Sequence, residues 1–339
     1  MSLPPLKMAT ELQSSLRCSC CCILMVLSMA FLLLPSNGIM AAAPLKFLVV
    51  GDWGRKGLFN QSQVAAQMGK IAQQLHIDFI ISTGDNFYED GLNGTDDPSF
   101  EQSFSAIYSA SSLQTPWHLV LGNHDYRGDT LSQLDSALKR RDSRWNCYRT
   151  STLRQNLPLS CKGARCSFLE FFFIDTTPFV DLYWTYAKHQ YDWRGILPRE
   201  RYLKKQLKAL NNALKVSKAT WKIVVGHHPI RSIGTHDDTA ELKQQLLPIL
   251  EANKVDLYVN GHAHCLQDFK SKTSSMHFLT SGGGSKAWGG VSSNANKDGL
   301  KFFYPGQGFM SMQITTMFVN AVFYDIDGNS LYSLNLSKS

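Results

Sequence analysis

Five short clusters carry most of the chemistry this chain could perform: Gly51-Asp52-Trp53-Gly54, Gly84-Asp85-Asn86-Phe87-Tyr88, Gly122-Asn123-His124-Asp125, Gly226-His227-His228 and Gly261-His262-Ala263-His264. Each opens on glycine and offers carboxylate, amide or imidazole donors. Asp and Asn oxygens with His nitrogens suit hard to borderline metal ions, and the set is too large for one ion with about four to six ligands. Two ions sharing a bridging carboxylate fit it better. Singly, the clusters are weak signals: Gly-Asp after a strand is commonly a turn, and Gly-Asn-His-Asp also reads as an Asx turn or helix cap. His262 and His264 are the sharper pair, because alternation in an extended segment puts both imidazoles on one side.

The clusters gain force from what precedes them. Leu45 to Val50, Phe79 to Ser82, Trp117 to Leu121, Trp221 to Val225 and Val255 to Val259 are short, rich in β-branched and aromatic residues, and each leads into one cluster. Between the first two, Val64, Met68, Ile71 and Leu75 recur at helical spacing; Leu203, Leu207, Leu210 and Leu214 do so later, and the lysines beside that stripe read as a solvated outer face. Strand and helix in alternation predict an α/β fold with a mainly parallel sheet covered by helices. Phe309 to Leu336, with β runs around Asp327-Gly328-Asn329, predicts a hairpin that makes the sheet mixed. Ligand sites in such sheets collect outside the carboxyl ends of the strands, so five converging ends build one site.

Composition agrees with an ordinary globular chain. Of 339 residues, 44% are hydrophobic and 18% charged, which excludes a largely disordered, collagen-like or coiled-coil molecule. The net charge of +7 lacks dense basic blocks beyond the short Lys139-Arg140-Arg141, so a nucleic-acid partner is not expected. With no internal repeat, low-complexity tract or linker, the mature chain reads as a single domain.

The first residues are of another kind. Lys7 and Arg17 precede an uncharged stretch from Cys18 to Leu34, followed by Pro35, Gly38 and Ala41 to Ala43. This reads as a secretory signal peptide over residues 1–43, cleaved between 38 and 43, ahead of a domain over 44–339. The stretch is at the short edge of a membrane span, so no stable span is expected once it is removed. The expected destination is extracellular or the cell wall, with the vacuole as the alternative. Removal takes Cys18, Cys20, Cys21 and Cys22 and leaves Cys147, Cys161, Cys166 and Cys265. These allow up to two disulfides in three pairings; proximity favours Cys161 with Cys166, and Cys265 reads equally as a free buried thiol. Sequons at Asn60, Asn93 and Asn335 fit a glycoprotein.

In order and spacing, GDWG, GDNFY, GNHD, VVGHH and GHAH resemble the motifs of the purple acid phosphatases, specifically the small plant type similar to mammalian tartrate-resistant acid phosphatase. The resemblance runs from about Leu45 to the C-terminus and places the chain among calcineurin-like metallophosphoesterases. It implies a sandwich of two mixed β-sheets flanked by helices, and a secreted dimetal acid phosphatase hydrolysing phosphate monoesters by attack of a metal-bound hydroxide. It further implies that Asp52, Asp85, Tyr88 and His264 hold Fe(III). Asp85 would bridge to a second metal, Fe(II), Zn or Mn, held also by Asn123, His227 and His262.

Tyr88 separates this family from other calcineurin-like enzymes, which usually carry His two residues after the first Asp, where this chain has Gly54. Its phenolate would give the visible colour. His124 and His236 match histidines outside the metal shell, implied to orient phosphate and protonate the leaving oxygen. His228 reads either as support for His227 or as packing. Ala263 departs from the Asp of many small members without touching a direct ligand. The stretch from Ser281 to Gly290 lacks the ending of a phosphate-binding P-loop and reads as a mobile loop at the site mouth. Two rival readings are peroxidation by a redox-cycling iron centre, which needs Fe at the second position, and a non-catalytic metal-binding glycoprotein, which would bind metal without hydrolysis.

Overall fold

The computed structural model describes residues 43–338 except 163–164, 186–187 and 294; the predicted signal segment lies outside the described residues. The described part contains fourteen strands: β1 (Leu45–Val50), β2 (Phe79–Ser82), β3 (Trp117–Val120), β4 (Trp145–Tyr148), β5 (Ser151–Lys162), β6 (Arg165–Phe173), β7 (Trp221–Val225), β8 (Leu257–Asn260), β9 (Leu266–Lys270), β10 (His277–Ser281), β11 (Leu300–Tyr304), β12 (Gly308–Ile314), β13 (Phe318–Asp325) and β14 (Ser330–Ser337). They form two seven-stranded sheets, ordered β14-β13-β12-β1-β2-β3-β4 and β11-β9-β10-β8-β7-β6-β5. β1 to β4 run parallel to one another, as do β6, β7, β8 and β10, while β12 to β14 and β5, β9 and β11 pair antiparallel. Both sheets are therefore mixed.

The period of two along β1 explains the layering. Leu45, Phe47 and Val49 face a core shared with Phe171, Ile223, Val259 and Met310, drawn from both sheets. Leu48 and Val50 point the other way, against Val64, Met68 and Ile71 of the helix Gln61–Leu75. On the second sheet, Val224 and Tyr258 face Leu203, Leu210 and Leu214 of the helix Arg199–Val216. Strands buried on both faces read as continuous apolar runs, which is the signature of central parallel strands covered by helices. Leu207 of the second stripe is only partly buried, and Lys204, Lys205 and Lys208 are exposed, as a solvated face requires.

The residues alone suggested one mixed sheet, and the structure has two. The strands missed in that reading, β4 to β6 and β9 to β11, include half-buried or polar stretches without clear alternation. The C-terminal hairpin is present as β13 and β14, with Gly328 at φ 85° in the turn between them. Cys147 and Cys265 are free thiols, so the second of the two disulfides the cysteine count allows does not form between them. Backbone register sets Cys161 opposite Cys166 across β5 and β6.

Candidate metal centre

β1, β2 and β3 are neighbours in one sheet and β7 and β8 in the other, so the loops leaving their carboxyl ends meet at one edge of the sandwich. Asp52, Asp85, Asn123, His227 and His262 stand in those loops, as the sequence predicts. Three of the candidate ligands hold left-handed backbone, Asp52 at φ 62°, Asp85 at 51° and His262 at 65°. Non-glycine residues rarely adopt this region, and such strain concentrates at functional sites, where surrounding structure enforces it. The glycines before the ligands serve close approach: a Cβ on Gly84 would lie 2.9 Å from His227 Nδ1 and 2.9 Å from the Gly122 nitrogen.

The donors fall into two groups joined by Asp85. In the first, the Tyr88 phenol oxygen lies 3.1 Å from Asp52 Oδ1, 3.0 Å from Asp85 Oδ2 and 3.1 Å from His264 Nε2, with His264 Nε2 3.4 Å from Asp52 Oδ1. In the second, His227 Nε2 is 3.2 Å from Asn123 Oδ1, 3.2 Å from His262 Nδ1 and 3.5 Å from Asp85 Oδ1. Ligand bonds of about 2.0–2.2 Å at tetrahedral to octahedral angles separate donors by about 2.8–3.6 Å. Both groups match that spacing, and the two oxygens of Asp85 face one group each.

Tautomers agree with ligation. His227 donates Nδ1–H to the Thr83 carbonyl (2.9 Å) and His264 donates Nδ1–H to the Lys286 carbonyl (2.5 Å), which directs each Nε2 toward the other donors. Burial pushes His264 down to about 3 and His262 well below the ordinary imidazole range, so both are neutral. Burial would also depress His227, but the Asp85 carboxylate beside it overrides this and raises it to about 9. Burial, then the charges of Asp52 and Asp85, hold the Tyr88 phenol well above its usual range. Two carboxylates and a phenol packed this closely repel negative charge; a cation among them reverses that penalty. The donor set fits metal ions.

His228 adjoins this cluster, with a ring nitrogen within 4.8 Å of ligand atoms of His227 and His262, but both of its nitrogens are hydrogen-bonded elsewhere. Its Nδ1 meets the Thr176 hydroxyl (2.9 Å) and its Nε2 the Tyr183 phenol (2.9 Å), so neither nitrogen is free to ligate. It supports the His227 segment through Thr176, which also receives the His227 backbone N–H at 3.1 Å. His124 donates its backbone N–H to Asp85 Oδ1 (2.8 Å), and its ring Nε2 is 3.9 Å from Asp85 Oδ2. His236 stands exposed with its ring centroid 4.2 Å from that of His262. Both imidazoles line, with Asp85, Asn123, His228 and His262, an open cavity of about 480 Å³.

The calcineurin-like phosphoesterase family matches residues 45–266. Purple acid phosphatase 4 of Arabidopsis thaliana is 53% identical over 295 residues, covering 87% of this chain and 84% of that protein. The chain belongs to the purple acid phosphatases. Tartrate-resistant acid phosphatase type 5 of Sus scrofa is 31% identical over 314 residues, covering 87% of each chain. Among solved structures, the anchor in the inner membrane complex of Plasmodium superposes with a TM-score of 0.74 at 26% identity, covering 88% of this chain and 90% of that one. A member of the purple acid phosphatases is an acid phosphatase with a dinuclear metal centre, which is what the two donor groups are spaced to hold.

Asp125, Arg55 and Arg127 flank the donor groups without being candidate ligands. Asp125, the last residue of the Gly122-Asn123-His124-Asp125 motif, is fully buried and accepts from the Gly122, Asn86 and Phe87 backbone N–H groups and from Gln133 Nε2, bracing two of the ligand loops. The Arg55 guanidinium lies 3.7 Å from the centre of the Tyr88 ring and pairs with Glu89. Arg127 sits 3.1 Å from His124 Nδ1. Arg55 acts on a residue 33 positions away and Asp125 reaches Asn86 and Phe87 of another loop, whereas Arg127 meets His124 within its own turn. The stretch from Ser281 divides in two. Gly284 is packed beneath the Asp52 loop, its N–H donating to the Gly51 carbonyl at 3.0 Å, and Gly282 is buried against Ala263. Trp288, part-exposed and beside His264 (5.2 Å), is the portion at the site mouth. Ala263 is itself fully buried.

Proposed function

We propose that the protein is a secreted acid phosphatase that hydrolyses phosphate monoesters at two metal ions, one held by Asp52, Asp85, Tyr88 and His264 and the other by Asp85, Asn123, His227 and His262. The observation that carries this reading is the pair of donor groups at ligand spacing with Asp85 facing both. A phenolate among carboxylates favours Fe(III) in the first group, and the amide and imidazole donors of the second suit Fe(II), Zn or Mn. Bound there, the metals supply a lowered water pKa and Lewis-acid stabilisation of charge on the phosphoryl oxygens.

The chain's own residues do the rest. The His124 Nδ1–H is held by the Glu89 carbonyl at 2.5 Å, so Nε2 is the atom that faces the site and can hold or release a proton. His236, on the cavity wall, is placed for the same work on the other side of the ligand histidines. One orients the phosphate while the other protonates the leaving oxygen. His124→Ala and His236→Ala are each expected to lower kcat by about 10²-fold, the low end of what general acid–base groups contribute. Metal content and visible colour should stay at the parent level; metal loss in either variant would move that histidine into the ligand shell and sink the assignment.

The leader supports secretion, and among the described residues no helix is long and apolar enough to cross a membrane. Asn93 and Asn335 are exposed, which suits glycans, whereas Asn60 is only partly exposed. The register of Cys161 against Cys166 supports a cross-strand disulfide in that compartment.

A further inference from the structure

The hydrogen bonds around His228 fix the place of one proton in the cavity. The Thr176 hydroxyl oxygen accepts from the backbone N–H of His227 at 3.1 Å and of His228 at 3.0 Å, which uses both of its lone pairs. Its own proton has one acceptor in reach, His228 Nδ1 at 2.9 Å. A third donor could not be accommodated at that oxygen, so His228 Nδ1 carries no hydrogen and the imidazole's proton is at Nε2. Nε2 stands 2.9 Å from the Tyr183 phenol oxygen and donates to it. Tyr183 therefore keeps its own proton, and among the described residues no other protein group accepts it.

That unspent donor faces chemistry. Tyr183 lines the same cavity as Asp85, Asn123, His124 and His262, with its ring held beside Tyr191 at 5.0 Å between centroids. The acceptors that the cavity is built to receive are the anionic oxygens of a phosphate, and a phenol donating to an oxyanion makes a charge-assisted bond. We propose that Tyr183 donates its hydrogen bond to a non-bridging phosphoryl oxygen of the bound substrate, and that Thr176 and His228 are positioning residues that keep the phenol a donor. The inference rests on the phosphatase reading and adds a substrate-touching residue to it.

Tyr183→Phe removes the donor and keeps the ring. In metal-loaded protein, its metal content and visible spectrum should equal the parent's, while calorimetric affinity for inorganic phosphate weakens by about 10- to 100-fold, the range for a hydrogen bond to a charged group. kcat/KM should fall by that same factor for p-nitrophenyl phosphate and for an alkyl phosphate. Unchanged phosphate affinity overturns the proposal. So does a loss confined to the alkyl ester, which would put the proton on the leaving oxygen, and so does loss of metal, which would make Tyr183 a support of the centre. If the parent protein itself hydrolyses neither ester, the phosphatase reading fails first and the inference falls with it.

Discussion

An Asp85→Asn protein is expected to lose metal from both positions and more than about 100-fold in kcat/KM, since even the loss of a partner outside the ligand shell costs about 10- to 100-fold. Asp85 is the one candidate ligand whose two oxygens serve different groups, Oδ2 toward Tyr88 and Oδ1 toward His227. Asn offers one oxygen and an NH₂ that would face donors rather than accept a cation. The carboxylate is already biased toward the ionised form that bridging requires. Burial would raise its pKa, but His227 and His124 hold it well below the usual carboxylate range. Metal analysis alongside kinetics checks the prediction, and a variant retaining two metals and parent turnover would refute the bridging role.

Gly122→Ala is expected to do comparable damage without touching a donor atom. A Cβ there would fall inside contact distance of Asp85 Oδ1 and of the Asp85 backbone nitrogen. A backbone clash cannot be relieved by rotating a side chain, so the Asn123 loop and the Asp85 loop must part. Overpacking of this kind costs about 1–3 kcal/mol. The larger consequence is for metal binding, because Asn123 and Asp85 belong to the same donor group. Thermal melting and metal stoichiometry read both effects; a Gly122→Ala protein with unchanged melting temperature and full metal content would show that the close approach is not required.

These two residues mark how much was legible in the sequence. Asp52, Asp85, Asn123, His227, His262 and His264 could be read because each follows a short apolar run and a glycine, and strand ends gather ligands as a matter of topology. Of the five strands read from the residues, three have the observed boundaries, while Trp117 to Leu121 ends at Val120 and Val255 to Val259 is shifted to Leu257–Asn260. The division into two sheets was carried only by the family resemblance, since β5 and β9 to β11 mix core-facing and polar residues and have no clean period. Thr176, Tyr183 and Arg55 carry no sequence signal for a different reason. Their roles depend on partners 52, 45 and 33 positions away along the chain, at His228, His228 and Tyr88, and no local pattern records such a pairing.

In the proposed centre Tyr88 joins Asp52, Asp85 and His264 in holding Fe(III) beside a second metal. The visible spectrum of the purified protein, taken with metal analysis on the same sample and on Tyr88→Phe, tests it most directly. A phenolate bound to Fe(III) absorbs broadly in the visible, so the parent should be coloured with about two metals per chain, as two ions of about four to six ligands each require, and Tyr88→Phe should be colourless. A colourless parent that still hydrolyses phosphate esters would contradict the Fe(III) assignment and leave a metallophosphoesterase whose Tyr88 is not a ligand.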